Sequence, residues 1–241
     1  MDPLLSLKEV SKSHWRGPHE IVVLEDVSLD VHAGELVAVW GQRGAGKTTL
    51  ATVAAGLERP DRGSVCFGGR DLDGGSQAAR FRHDGIGWVQ RMGPQSSDFQ
   101  MVIDYVALPL LGKHSPRGAR RRAGTMLKRL GVAGCAGSNW ESLTDGERTL
   151  VALAHALVRE PRLLIADDPT ANLNVLQREE VTGLLRRAAD EEALGILITV
   201  PDMPHMAYAD RVGSLSDGRL ILSGEPAYRN VIEFPGRQQS A

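Results

Sequence analysis

Residues 36–57 read LVAVWGQRGAGKTTLATVAAGL. The first five, Leu36–Trp40, form a short apolar run of the kind buried on both faces in a parallel sheet. Gly41–Gly46 follow as a flexible loop. Lys47–Leu57 has helical character and is stopped by Pro60. The segment GQRGAGKTT (41–49) therefore fits the strand–GxxxxGK[ST]–helix pattern at every position and in context. Gly41, Gly44 and Gly46 let the backbone curl so that successive N–H groups point inward at phosphate oxygens. The positive end of the following helix adds to that field. Gln42, Arg43, Ala45 and Thr49 complete the loop. Lys47 can reach the β- and γ-phosphates as a point charge, and Thr48 can offer its hydroxyl to Mg²⁺. This stretch alone leaves kinases, GTPases and many ATPases open.

Working outward, residues 4–10 (LLSLKEV) and 21–31 (IVVLEDVSLDV) read as strands joined by a polar turn at Gly17 and Pro18. Strand signals return at Ser64–Phe67, Gly85–Val89, Leu163–Ala166 and Ile196–Val200. Val212–Leu215 and Arg219–Leu222 form a late hairpin around Asp217–Gly218. Helical spacing marks Val102–Leu111, Arg117–Leu130, Gly146–Arg159 and Leu176–Glu192. The fold class is α/β, with a helical insertion at about residues 91–160. The last residues, GRQQSA, read as frayed.

The bulk numbers exclude several classes. The chain has 241 residues and a net charge of -2, so neither nucleic acid nor an anionic membrane is expected as main partner. The basic run RGARRR (117–122) is local and reads as a solvated helix start. Cys66 and Cys135 lie far apart without neighbouring ligands, which argues against a disulfide framework or zinc site and for a reducing compartment. The N-terminus, MDPLLSLKEV, does not read as a signal peptide, and no run approaches the ~20 apolar residues needed to span a bilayer. Work at a membrane would require another subunit as anchor.

About 95 residues beyond Lys47 lies LTDGERTLVALAHALVREPRLLIADDPTANLN (143–174). It resembles, without gaps, the signature-to-Walker-B block of ABC ATPases, and AYADRVGSLSDGRL (207–220) resembles that family's closing segment. The opening VSKSHWRGPHEIVVLEDVSL (10–29) and the phrase YVALPLL (105–111) bring the resemblance nearest to bacterial lipoprotein-release and macrolide-export subunits. The resemblance implies a P-loop NTPase with a RecA-like core and an antiparallel β-subdomain (1–90 and 161–241), plus a helical subdomain (91–160). It implies Mg-ATP as ligand, a second ABC chain packed head to tail, and membrane permease subunits docked on the helical insertion. It places the chain in the cytoplasm, peripheral on the inner face of the membrane. Chromosome-maintenance relatives carry long coiled coils between phosphate loop and signature, and this chain has no heptads there.

The departures from the family pattern bear on chemistry. Asp167 matches the carboxylate that holds Mg²⁺. Asp168 stands where the family has the glutamate that polarises the attacking water, and it reads as either that base or an inert cap before Pro169. Pro201 occupies the position of the switch histidine, for which His205 could substitute if the loop bends. The signature is Leu143-Thr144-Asp145-Gly146-Glu147 in place of LSGGQ, so a negative charge is expected near the partner's γ-phosphate. Gln90 is the candidate for catalysis and Mg²⁺ at the Q-loop, with Arg91 the alternative. Asn174 replaces the D-loop aspartate. The adenine platform is Trp15 or His14, with the larger face of Trp15 preferred. ATP binding is thus expected to be intact and hydrolysis weakened. Transport direction, substrate and homo- or heterodimer remain open.

Overall fold

The computed structural model describes residues 2–72, 84–90, 101–201 and 208–223. Elements in chain order are β1 (Leu5–Arg16), β2 (His19–Val31), β3 (Leu36–Trp40), α1 (Lys47–Ala54), β4 (Arg62–Phe67), β5 (Arg70–Asp71) and β6 (Ile86–Val89). Then come α2 (Val102–Ala107), α3 (Pro116–Arg129), α4 (Asp145–Leu157), β7 (Leu163–Asp167), α5 (Val175–Glu192), β8 (Gly195–Val200), β9 (Arg211–Ser216) and β10 (Arg219–Ser223). A six-stranded sheet has the order β10-β9-β3-β8-β7-β6, parallel except for the β10 edge. A four-stranded antiparallel sheet has the order β2-β1-β4-β5.

The apolar run at 36–40 is the centre of the parallel sheet, and its alternation sorts the core. Leu36 and Ala38 face one side, with α2, α3, α4 and α5; Val37 and Val39 face the other, with α1 and the antiparallel sheet. The helical stretch thus shares one core with a sheet face.

Several elements differ from the sequence expectation at their ends. β1 and β2 run as a long hairpin to Arg16 and His19, because Gly17, at φ 62°, turns the chain within two residues. The helix expected over 102–111 stops at Ala107, and Leu108–Leu110, carrying Pro109, form a 3-10 turn. α1 ends at Ala54 rather than Leu57. Arg117–Arg122 lie in the first turns of α3, where Arg120 pairs with Asp104 at 2.6 Å. Cys66 and Cys135 are free thiols.

Candidate functional site

Parallel strands leave one set of ends together, and here the C-terminal ends of β3, β7 and β8 converge. Register places Asp167 beside Thr199 and Trp40 beside Val200. Gln90 follows Val89, whose pairing with Ala166 ends the β6–β7 ladder.

The loop at 41–46 needs its glycines for separate reasons. A Cβ on Gly41 would lie 2.4 Å from the Leu215 carbonyl, so the loop passes against β9. Gly46 has φ 97°, and a Cβ there would lie 2.7 Å from the Val23 carbonyl. Gly46 caps α1 without a side-chain hydrogen bond, which leaves the first N–H groups of α1 available to an anion. Lys47 donates from Nζ to the carbonyls of Gly41 (2.6 Å) and Gln42 (3.0 Å), so the ammonium lies across the mouth of the curl. A 220 Å³ cavity beside it is lined by Val23, Arg43, Gly44, Gly46, Lys47, Thr48, Thr49, Asp167 and Asp168.

Hydroxyls and carboxylates meet at the cavity floor. Thr48 Oγ1 donates to Asp167 Oδ2 at 2.8 Å, and Thr199 Oγ1 donates to Asp167 Oδ1 at 2.8 Å. The Asp168 amide donates to the Thr199 hydroxyl and carbonyl at 2.9 and 3.1 Å. Asp168 is 6% exposed and its backbone is left-handed, φ 47°, a conformation aspartate tolerates better than most residues. It lies on the cavity wall.

The oxygen donors suit a hard cation. No cluster of three or more His, Cys, Asp or Glu able to hold a metal occurs among the described residues. One carboxylate and one hydroxyl beside this cavity fit Mg²⁺, which would complete its shell with phosphate oxygens and water.

The other sequence-predicted positions are scattered. His14 Nε2 lies 3.4 Å from Thr49 Oγ1 and 3.6 Å from Glu58. Its neighbour Trp15, the preferred platform, projects from the opposite face of β1 and is 72% exposed. His14 is therefore the ring brought to the phosphate loop. The beginning of β1's turn is anchored nearby, where Asp61 accepts from the Ser13 amide (2.7 Å) and Lys12 (3.0 Å), contacts that hold its carboxyl below the usual range. Gln90 and Pro201 are exposed. Arg91 and His205 lie outside the described residues.

None of Leu143–Glu147 lines the cavity. Leu143 is buried, and Thr144 caps α4 in a reciprocal box with Glu147. Glu147 accepts the Thr144 amide and hydroxyl, both at 2.8 Å, and the Cys135 thiol at 3.4 Å; the Thr144 bonds in particular hold its carboxyl below the usual range. Asp145 pairs with Arg148 at 3.6 Å, and Gly146 packs under Gln177. Asn174 caps α5 in a second box with Gln177. Sequence reasoning missed Thr199 and Val23. The available signal for Thr199 was a hydroxyl in the otherwise apolar strand GILITV, beside the acid-bearing strand.

The profile of a family described as "ABC transporter" matches residues 24–171. The chain belongs to that family. The lipoprotein-releasing system ATP-binding protein LolD of Pseudomonas syringae pv. tomato is 34% identical over 221 residues, 90% of this chain and 97% of that one. The macrolide export ATP-binding/permease protein MacB 1/2 of Paracoccus denitrificans is 33% identical over 231 residues, 93% of this chain and 34% of that longer one. Among solved structures, the dimeric bacterial ABC transporter cassette MJ0796 superposes with a TM-score of 0.83 at 26% identity, covering 91% of this chain and 98% of that. The same cassette bound to ADP and Pi in a post-hydrolysis state gives 0.82. The chain is an ATP-binding subunit of an ABC transporter and an ABC-type ATPase, with the α/β fold of those cassettes. Such cassettes dimerise and work with membrane subunits, and no helix of the described residues is long and apolar enough to cross a membrane itself.

Proposed function

We propose that this ABC subunit binds Mg-ATP in the cavity beside Lys47 and hydrolyses it slowly, driving separate permease subunits that export or extract a substrate. The observation that carries this reading is the floor of the cavity. Asp167, Thr48 and Asp168 meet there beside Lys47, which supports a nucleotide site, while Pro201 stands where a histidine donor would be expected. Lys47 and the α1 amides would bind the phosphates, and His14 or Trp15 would stack on the base. Thr48, Asp167 and Gln90 would hold Mg²⁺, which neutralises phosphate charge when bound. Asp168 would orient the attacking water, reaching about one ångström less far than glutamate, a displacement that can cost about 100-fold in rate. Proline at 201 supplies neither a side-chain donor nor an N–H.

Residues 1–90 and 161–241 form the core with its β-subdomain in this reading, and 91–160 the helical subdomain on which membrane subunits dock. Leu143–Glu147 would act on the ATP of a second ABC chain packed head to tail, while the docked membrane subunits would hold the protein on the inner face of the membrane. The altered signature supports the alternative of an ATP-clamping regulatory subunit paired with a more competent chain.

Purified chain decides between them. Asp168→Glu with Pro201→His should raise Mg-ATP turnover by about 10- to 100-fold over the parent. No gain from the pair would favour the regulatory role. Lys47→Ala should weaken ATP binding by at least about tenfold, as expected for a lost charge-assisted contact. Parental affinity in that variant would sink the phosphate-loop reading itself.

A further inference from the structure

We propose that Thr199 is a positioning residue for both acids of the site, setting the carboxylate plane of Asp167 and the backbone turn of Asp168. β8 is buried along its length and otherwise carries only apolar side chains and Gly195; Thr199 is 0% exposed. An unbonded hydroxyl would be costly there. This one is used twice, as donor to Asp167 Oδ1 at 2.8 Å and as acceptor from the Asp168 amide at 2.9 Å. The parallel register places Thr199 directly across from Asp167, so both bonds follow from strand pairing and need no loop to order.

The two hydroxyls on Asp167 are not equivalent. Thr48, on Oδ2, belongs to the phosphate loop and is itself a candidate ion ligand. Thr199, on Oδ1, belongs to the buried strand β8 and does not line the cavity, so its bond does not depend on the loop and would persist if Thr48 turned away. A carboxylate held at one oxygen by a buried hydroxyl presents its other oxygen in one orientation, which is how outer partners raise metal affinity. The same hydroxyl anchors Asp168 at φ 47°, on the wall of the phosphate cavity.

The inference rests on reading Asp167 as the Mg²⁺ carboxylate. Mg²⁺ is titrated into the full chain with a non-hydrolysable fluorescent ATP analogue, so that no turnover is needed. Thr199→Val, nearly isosteric but without the donor, should raise the Mg²⁺ midpoint about tenfold or more. Its affinity for the analogue without Mg²⁺ should stay within about twofold of the parent's, and Thr199→Ser should keep the parental midpoint. Thr199→Ala carries the same expectation should valine impair folding. A parental midpoint in the valine or alanine variant overturns the role of Thr199. An analogue that binds the parent without any response to Mg²⁺ sinks the magnesium assignment instead.

Discussion

At Gly46 two independent constraints coincide. The backbone is left-handed at φ 97°, and the space a Cβ would need is held by the Val23 carbonyl at 2.7 Å. Alanine would carry the left-handed cost of about 1–2 kcal/mol and a clash with backbone that cannot rotate away. Gly46→Ala should therefore lower the melting temperature and abolish ATP binding together, measured by thermal denaturation and nucleotide titration. Gly44 separates the two constraints. It shares the positive φ, but a methyl carbon placed there would meet nothing within 4 Å, so alanine carries the conformational cost alone. Asp168 makes the complementary point, since a left-handed backbone at φ 47° is one that aspartate adopts more readily than most residues.

At the scale of elements, the pairing of α2 with α4 carries a pH-sensitive contact. His155 of α4 stacks on Tyr105 of α2 with centroids 4.1 Å apart, and its Nδ1 lies 2.8 Å from the Tyr105 carbonyl. Burial holds the imidazole below its ordinary 6.5, assisted by Arg159, against the opposing pull of the carbonyl. Burial also pushes the Tyr105 phenol up to about 12, so only the histidine titrates near neutrality. A lowered folded-state value means the unfolded chain takes up the proton first. The stability contribution is present above pH 6.5 and is lost as pH falls toward the folded-state value. The melting temperature should therefore decline as pH drops below that point. His155→Phe keeps a stacking ring without the titration and should show a shallower decline over the same range.

Across the whole molecule, α5 and the sheet are tied by one arginine. Arg186 pairs with Asp210 through Nη1, with Asp190 through Nε and Nη2, and donates from Nη2 to the Gly34 carbonyl at 2.9 Å. Asp210 in turn accepts from the Leu36 amide at 2.9 Å and so aligns the start of β3, the strand that delivers the phosphate loop. Arg186→Ala removes this ion pair from Asp210. The cost should be about 1–3 kcal/mol, or about 2–4 °C of melting temperature per kcal/mol for a chain of this size. Calorimetry reads the loss, and a parental melting temperature would show that the tie is dispensable.

Much of this architecture was legible in the chain itself. The strand, loop and helix around residues 41–49 could be read from the chain because the pattern is local: glycine spacing, one lysine, one threonine, and the strand and helix on either side. β3 was placed residue for residue because an apolar pentapeptide bounded by turns has few alternatives. The resemblance at 143–174 singled out Asp167 and Asp168, and both lie on the cavity at the end of β7. What tertiary structure alone decided were relations between strands distant in sequence. That Thr199 holds Asp167, that His14 rather than Trp15 meets Thr49, and that Glu147 holds the Thr144 hydroxyl depend on register, strand face and helix capping. Periodicity says which residues share a face, but only the pairing of particular strands says whose face they meet.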